Sequence, residues 1–276
     1  MARTLEIVGE KWALLAIREV FLGNRRFDEM VRRTGAPRDT MTARLKTLVA
    51  AGVLERRPVS EHPPRFEYRL TQAGLDLYPV IQPWDTAYDL GPNDEHIQTH
   101  KSFASVWHAG LPVRASGQKF WKFSGGAYEY PHPGYAWAWT RSTLDRVGGL
   151  FELGGMGAGD HHMALGLAGR AEASLPAGIS AGYRNAVLSW GARGAAEING
   201  KLGFAHGTIE HPFHGRKNDR GYESRWKVFL EHGFDPATDL KRNSDGVIEF
   251  AGNKPDLERA FDRYLRERNE DVNSLT

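Results

Sequence analysis

Apolar residues recur at every third or fourth position through the first fifty residues, which is the spacing of helices that bury one face. The pattern predicts a first helix over residues 4–22, ended by Gly23 and Asn24, a short second helix over 27–33 and a third over 37–51. A proline at the start of the third helix suits its first turn, where the N–H group would be unpaired in any residue. The third helix carries an apolar stripe of Met41, Leu45, Leu48 and Val49.

Two short runs of mixed apolar and charged residues follow, at 53–59 and 65–70. Pro63 and Pro64 stand between them, and proline removes the backbone donors that a strand ladder needs. The sequence therefore predicts a hairpin, or wing, over 53–70. Three helices followed by a wing are typical of a winged helix-turn-helix domain.

Polar side chains on the third helix stand away from its apolar stripe. Arg38, Thr40 and Arg44 lie on the first turns, where a recognition helix meets base edges in the major groove, and Lys46 follows them. Arg38, Thr40 and Arg44 are the predicted base readers, and Lys46 is a further predicted DNA contact.

Three arginines, Arg56, Arg57 and Arg65, flank the tip of the predicted wing. We expect them to meet phosphates, which position a protein on DNA without reading its sequence. The alternative is that the arginines of both groups are ordinary solvated side chains of a small helical domain.

Several motifs of this segment resemble the HxlR-type winged helix-turn-helix regulators over residues 2–82. The resemblance implies a dimeric bacterial regulator that binds double-stranded DNA. Members usually carry a cysteine before the first helix, whereas this chain has none, and the long helix that follows the wing in the family is interrupted here by Pro79 and Pro83. The motifs are GEKWALL (9–15), RFDEM (26–30), APRDTMTARL (36–45), AGVLER (51–56), PPRFEYRLT (63–71) and Gly74.

The composition of the sequence changes after Pro83, where glycine, histidine and aromatic residues become frequent. The spacing predicts a helix over 183–198, another over 221–232 and an amphipathic helix over 255–268. A glycine-rich turn opens a helix near Asp160, whose carboxylate is either a general base or the cap of that helix. Six polar residues form a loose cluster that either binds a divalent metal or makes ordinary hydrogen bonds: Asp160, His161, His162, His206, His211 and His214.

This second region resembles the later half of glycosyltransferase-like proteins of the GT-A fold, over residues 84–250. The resemblance implies Asp160 as catalytic base, His211 and His214 near a metal, and a nucleotide-sugar with Mn²⁺ or Mg²⁺ as cofactors. The half that binds the nucleotide is missing, and no Asp-x-Asp pair occurs in the chain. The motifs are DLGPN (89–93), THKSFA (99–104), HPGYAWAW (132–139), LDRVGGL (144–150), GDHHMAL (159–165), His211, HGRKNDRGY (214–222) and FDPATDL (234–240).

Composition changes this picture little. The 276 residues fit two domains, which we place at 1–82 and 83–276, in an α+β chain whose second domain is an incomplete α/β region. The first carries 14 Lys and Arg against 10 Asp and Glu, the second 22 against 24. No run is apolar enough to span a membrane, and no secretory signal is present, so we expect a cytoplasmic protein. The predicted function is DNA-binding regulation without a cofactor. The alternative is a glycosyltransferase-like enzyme, which we expect to be inactive in this chain because the nucleotide-binding half is missing.

Overall fold

The computed structural model describes residues 11–61, 64–71, 78–110, 123–124, 127–128, 131–213, 215, 221 and 224–268. Its first region contains three helices and a two-stranded antiparallel wing, in the order that the sequence predicts. The start of the first predicted helix lies outside the described residues. The elements are α1 (Lys11–Phe21), α2 (Phe27–Thr34), α3 (Arg38–Ala50), β1 (Leu54–Glu61) and β2 (Pro64–Leu70).

The core of the first region is formed by the apolar stripes of its helices. Met30 of α2 and the predicted stripe residues Met41, Leu45 and Leu48 are fully buried. Helix α2 ends at Gly35, whose φ of 68° is a left-handed conformation that glycine adopts without steric cost. This turn sets the angle between α2 and α3.

A buried carboxylate links α1 to α2. Glu19 is 1% exposed and accepts hydrogen bonds from Asn24 Nδ2 at 2.7 Å, Arg33 Nε at 2.9 Å and Arg18 Nε at 3.0 Å. A buried charge is stable only when its oxygens are satisfied in this way. The network therefore fixes α2, and with it the turn that leads into α3.

The second region is a mixture of helices and short strands around a core rich in aromatic residues. Two of its helices, α6 (Gly159–Leu167) and α7 (Ala181–Ile198), approach closely where Gly166 and Gly191 bring their backbones together. The elements are β3 (Val80–Gln82), β4 (Thr86–Leu90), β5 (His96–Lys101), α4 (Phe103–His108), β6 (Phe123–Ser124), β7 (Ala127–Tyr128), β8 (Ala138–Trp139), α5 (Arg141–Val147), α6 (Gly159–Leu167), a 3-10 turn (Ala171–Ser174), α7 (Ala181–Ile198), β9 (Leu202–Phe204), β10 (Thr208–His211), α8 (Ser224–Glu231), α9 (Pro236–Asp239), β11 (Leu240–Arg242), β12 (Ile248–Phe250) and α10 (Pro255–Glu267).

Two three-stranded sheets organise this region. One has the order β8-β3-β9, with β3 antiparallel to β8 and parallel to β9, and the other has the order β10-β4-β5. The mixed α+β class agrees with the sequence prediction, whereas the GT-A architecture that the resemblance implies is not confirmed. None of the described helices is long and apolar enough to cross a membrane.

The segment between the two prolines is a strand and not the end of a shortened helix. Val80 and Gln82 of β3 are fully buried in the middle of the first sheet. Val80 pairs with Trp139 on one side and with Leu202 on the other. The second region therefore includes Val80–Gln82, three residues that the sequence analysis assigned to the first domain.

Candidate nucleic-acid interface

Helix α3 presents a continuous exposed face opposite its buried stripe. Successive helical residues are rotated by about 100°, so Met41, Leu45 and Leu48 lie on the inner side. The opposite side is formed by exposed residues whose centre is near Lys46. The exposed residues are Asp39, Thr42, Ala43, Lys46, Thr47 and Ala50.

Arg38 lies at one edge of this face and is held by local contacts. Its Nη2 donates to Asp28 Oδ1 at 2.8 Å, and its guanidinium lies 4.9 Å from the centre of the Phe27 ring. The side chain is 64% exposed, so it is restrained by α2 without being buried.

Thr40 and Arg44 lie at the opposite edge of α3, and both are half-buried. The predicted trio of base readers is therefore divided between the two edges of the helix, with Lys46 between them. Thr42 and Thr47, which sequence reasoning left out, occupy the exposed face, and each hydroxyl donates to the carbonyl four residues earlier. A helical projection of the sequence alone would have found them.

The arginines of the wing point to different sides. Arg56 lies 3.5 Å from the centre of the Phe66 ring, whereas Arg57 donates to Glu55 at 2.7 Å on the other side of the hairpin. Glu55 is opposite Arg69 in the strand register, so these residues form a charged ladder on that side. Arg65, near the tip, is exposed.

Comparisons with known proteins agree with a helix-turn-helix domain in the first region. The model of the HxlR-like helix-turn-helix family matches residues 7–89. The HTH-type transcriptional regulator YvaP of Bacillus subtilis is 30% identical over 90 residues, which cover 31% of this chain and 83% of YvaP. The chain belongs to the HxlR-like helix-turn-helix family.

A second relative of this HxlR-like chain is an uncharacterized HTH-type transcriptional regulator of Mycobacterium tuberculosis. It is 47% identical over 101 residues, which cover 36% of this chain and 64% of that protein. A solved structure of a proposed transcription factor from Pseudomonas aeruginosa is 46% identical and covers 28% of this chain and 52% of its own, with a TM-score of 0.25. The family match ends at residue 89, so the sugar-transferase resemblance of the second region remains an interpretation of sequence.

The polar residues of the second region form a hydrogen-bonded cluster around Asp89. This buried carboxylate lies 2.6 Å from His100 Nε2 and 3.1 Å from His211 Nδ1, and it accepts a hydrogen bond from the Tyr135 hydroxyl at 2.6 Å. His132 stacks on Tyr135, with 4.3 Å between ring centres. His211, a predicted metal ligand, is thus oriented by a carboxylate that sequence reasoning did not select.

Asp160 lies in the first turn of α6 but does not cap it. The cap position is Ala158, and Asp160 Oδ1 accepts a hydrogen bond from the backbone N–H of His161 at 2.8 Å. Burial raises the pKa of Asp160, and this effect exceeds the lowering by that hydrogen bond and by the charge of Arg225. Because Ala158 occupies the cap position, the interpretation of Asp160 as the cap of this helix is wrong.

The remaining predicted metal ligands are not brought together. His206 lies 2.9 Å from Asp85, whereas His211 contacts a different carboxylate, that of Asp89. His214 lies outside the described residues. Within the described ranges, no group of three or more His, Cys, Asp or Glu side chains is placed to hold a metal ion.

Proposed function

We propose that this chain is a DNA-binding transcriptional regulator that inserts α3 into the major groove of double-stranded DNA and sets its wing on flanking phosphates. The observation that carries the proposal is the division of α3 into a buried stripe and a continuous exposed face. The stripe fixes the helix on the domain, and the exposed face leaves its polar groups for a partner. The relatives in Bacillus subtilis and Mycobacterium tuberculosis, both named as HTH-type transcriptional regulators, support the same function.

Within this proposal the two edges of α3 have different tasks. Arg44 and Thr40 read bases from one edge, Lys46 reaches the groove from the centre, and Arg38 approaches from the other edge while paired with Asp28. Both threonines of the exposed face, Thr42 and Thr47, keep an acceptor lone pair for a base edge.

The wing supplies the phosphate contacts. Arg65 near the tip and Arg56 over the Phe66 ring are the principal contacts, whereas Arg57 points toward Glu55 and contributes mainly through its charge. The first 82 residues carry a net charge of +4, from 14 Lys and Arg against 10 Asp and Glu. This charge favours a polyanionic partner and makes its binding sensitive to salt.

A direct test selects bound duplexes from a random-sequence pool and then measures affinity for the selected site by fluorescence anisotropy at several salt concentrations. We expect the logarithm of the affinity to fall linearly with the logarithm of salt, by about 0.9 for each phosphate neutralised. Arg65→Ala should reduce this slope by about one, and Arg44→Ala should cost about 1–3 kcal/mol of discrimination between selected and scrambled sites.

The matched control is Arg184→Ala, which also removes one arginine. Arg184 lies on α7 of the second region, where it is paired with Glu172 at 2.9 Å. This variant should bind the selected duplex with unchanged salt dependence. A salt response that is flat in the wild-type chain, or equal losses in Arg44→Ala and Arg184→Ala, would contradict the proposal.

Dimerisation, the arrangement that the family resemblance implies, forms part of the same proposal. A two-fold dimer reads two half-sites about one helical turn, or about 34–36 Å, apart. Sedimentation of the chain with the selected duplex measures the stoichiometry directly. Two chains on a pseudo-palindromic site support the dimer, and one chain on a single half-site overturns it.

A further inference from the structure

A cleft of about 760 Å³ opens between the winged helix and the second region. One wall is formed by the end of α1 and the base of the wing, and the other by Trp139 and the beginning of α5. Pockets that hold small organic molecules have volumes of roughly 300–1,000 Å³. The cleft is therefore large enough for a ligand that contacts both regions at once.

The charged lining of the cleft is predominantly cationic. Its arginines come from both regions, and two carboxylates accompany them, which leaves a net charge of +2. Those carboxylates already have partners, since Glu55 lies 2.7 Å from Arg57 and Asp145 lies 4.0 Å from Arg141. The four arginines of the lining are Arg25, Arg57, Arg69 and Arg141.

Two arginines have weaker local attachments than Arg57. Arg69 makes a long 3.4 Å contact with Glu67, and Arg25 makes no ion pair with any described residue. Both belong to the winged-helix wall. Guanidinium groups with this much donor capacity match a carboxylate, which they can bind with two parallel hydrogen bonds.

Apolar side chains form the rest of the lining. Phe21 and Leu70 lie on the winged-helix wall, and Trp139 lies on the opposite wall; all three are half-buried. An aromatic ring between Phe21 and Trp139 would bury apolar surface on both sides. A small inorganic anion would leave this surface unused.

We propose that the cleft is a binding site for an aromatic carboxylate. The carboxylate lies among Arg25, Arg69 and Arg141, and the ring packs between Phe21 and Trp139. Because the ligand touches the base of the wing and the start of α5, its binding fixes the position of the wing relative to the second region. If the proposed DNA-binding function holds, the ligand changes the affinity for DNA.

The first experiment measures ligand binding without DNA, so that it does not depend on the proposed function. Benzoate is titrated into the full chain by calorimetry, with benzamide as a neutral ligand of the same shape and acetate as a charged ligand without a ring. A ligand of this size binds in about the millimolar range. We expect saturable binding of benzoate that is at least about tenfold tighter than that of either control compound.

Variants locate the site. Arg141 is 83% exposed and lies outside the DNA-contacting surfaces, so Arg141→Ala should fold normally while weakening benzoate binding about tenfold. Arg25→Ala should weaken it comparably, whereas Arg184→Ala on α7 should have no effect. Equal binding of benzoate and benzamide, no saturable binding of benzoate, or unchanged affinity in both cleft variants would overturn the proposal.

The regulatory consequence has its own readout. In the anisotropy assay, benzoate should shift the DNA affinity of the wild-type chain and leave that of Arg141→Ala unchanged. Binding of benzoate to a chain that binds no DNA would retain the ligand site and reject the proposed function. Benzoate binding with no shift in DNA affinity would reject only the coupling.

Discussion

The two regions of this chain differ in where they keep their polar groups. Among the described residues, the winged helix buries one polar or charged residue, Glu19. From Gln82 onward, eleven polar or charged residues are buried. The winged helix therefore presents its chemistry on the surface, as a binding module requires. The second region builds hydrogen-bond networks inside its core, and such networks fix one packing arrangement at a cost in desolvation.

The largest expected effect tests whether the two cores are separate. Phe229 is fully buried among Tyr183, Trp226, Phe234 and Phe261. Phe229→Ala should destabilise the second region by about 3–5 kcal/mol because it removes a large apolar side chain and leaves a cavity. Seven of the eight tryptophans follow residue 83, so tryptophan fluorescence during chemical denaturation measures this loss.

The control for this variant is hydrogen exchange in α3. If the regions are independent, protection of the amides of Met41 and Leu45 should be the same in Phe229→Ala and in the wild-type chain. Faster exchange of these amides would show that the winged helix depends on the second region for its stability.

A smaller effect is expected at the one buried charge of the winged helix. Glu19→Ala leaves the donors of Arg18, Asn24 and Arg33 without their acceptor, and we expect a loss of about 2 kcal/mol, since the arginines can still reach water. Urea denaturation followed by far-ultraviolet circular dichroism measures the loss. Glu29→Ala, which removes the half-buried partner of the exposed Arg32 at 3.7 Å, should cost less than about 0.5 kcal/mol. Equal effects of the two variants would argue against a structural role of Glu19.

A buried histidine makes the second region sensitive to acid. Ser174 Oγ donates to the carbonyl of Ala171, so His162 Nδ1–H donates to Ser174 Oγ at 2.7 Å and Nε2 accepts from the Tyr183 hydroxyl at 2.9 Å. This arrangement holds the neutral imidazole. Burial, with a smaller effect from Arg225, lowers the pKa of His162 from 6.5 to about 3.

Because the folded-state pKa is lower than the unfolded one, this stabilisation is complete above about pH 6.5 and is lost as the pH falls toward 3. At pH 5 the loss amounts to about 2 kcal/mol. Denaturation curves at several pH values measure it, and His162→Gln should remove the part of the pH dependence that belongs to this residue. A variant with the same pH profile as the wild-type chain would contradict the assignment.

The smallest effect concerns the close packing of α7 against α6 and the 3-10 turn that follows it. A Cβ added at Gly191 would lie 2.5 Å from Ala171 Cβ, and one added at Gly166 would lie 3.0 Å from Gly191 Cα. Gly191→Ala should destabilise the second region by about 1 kcal/mol, because overpacking of about 1–3 kcal/mol exceeds a gain in helix propensity of about 1 kcal/mol. Thermal denaturation measures the change. An increase in the stability of Gly191→Ala would mean that α7 and its neighbours at Ala171 and Gly166 move apart at little cost.

The sequence predicted the winged helix well because its signals are local. Helical spacing, Gly23 and Asn24 after the first helix and two prolines between the predicted strands of the wing each specify structure within a few residues. The second region was harder, because Val80 finds its partners at Trp139 and Leu202, far along the chain. Local patterns cannot predict such pairing. The amphipathic helix predicted over 255–268 buries Phe261, whereas its Leu265 is 55% exposed.

In the candidate interface, too, the sequence predicted what local signals specify and missed what depends on three-dimensional arrangement. Helical periodicity placed the base-reading candidates on α3, but the separation of Arg38 from Arg44 follows from the rotation of about 100° per residue along the helix. The direction of Arg57 depends on the strand register of the wing. The role of Asp89 in holding His100 and His211 depends on contacts across three strands, and no motif in the sequence indicates them.

Strand β3 has a consequence for how the chain folds as it leaves the ribosome. The described core of the winged helix is complete once residue 71 has emerged, and local contacts of this kind form quickly. Val80–Gln82 must then wait for Leu202–Phe204 before the ladder on that side can form. During this interval an apolar segment is exposed with unpaired backbone groups, a state that favours aggregation and chaperone binding. Slow translation between these points would prolong the vulnerable period in the second region and leave the first unaffected.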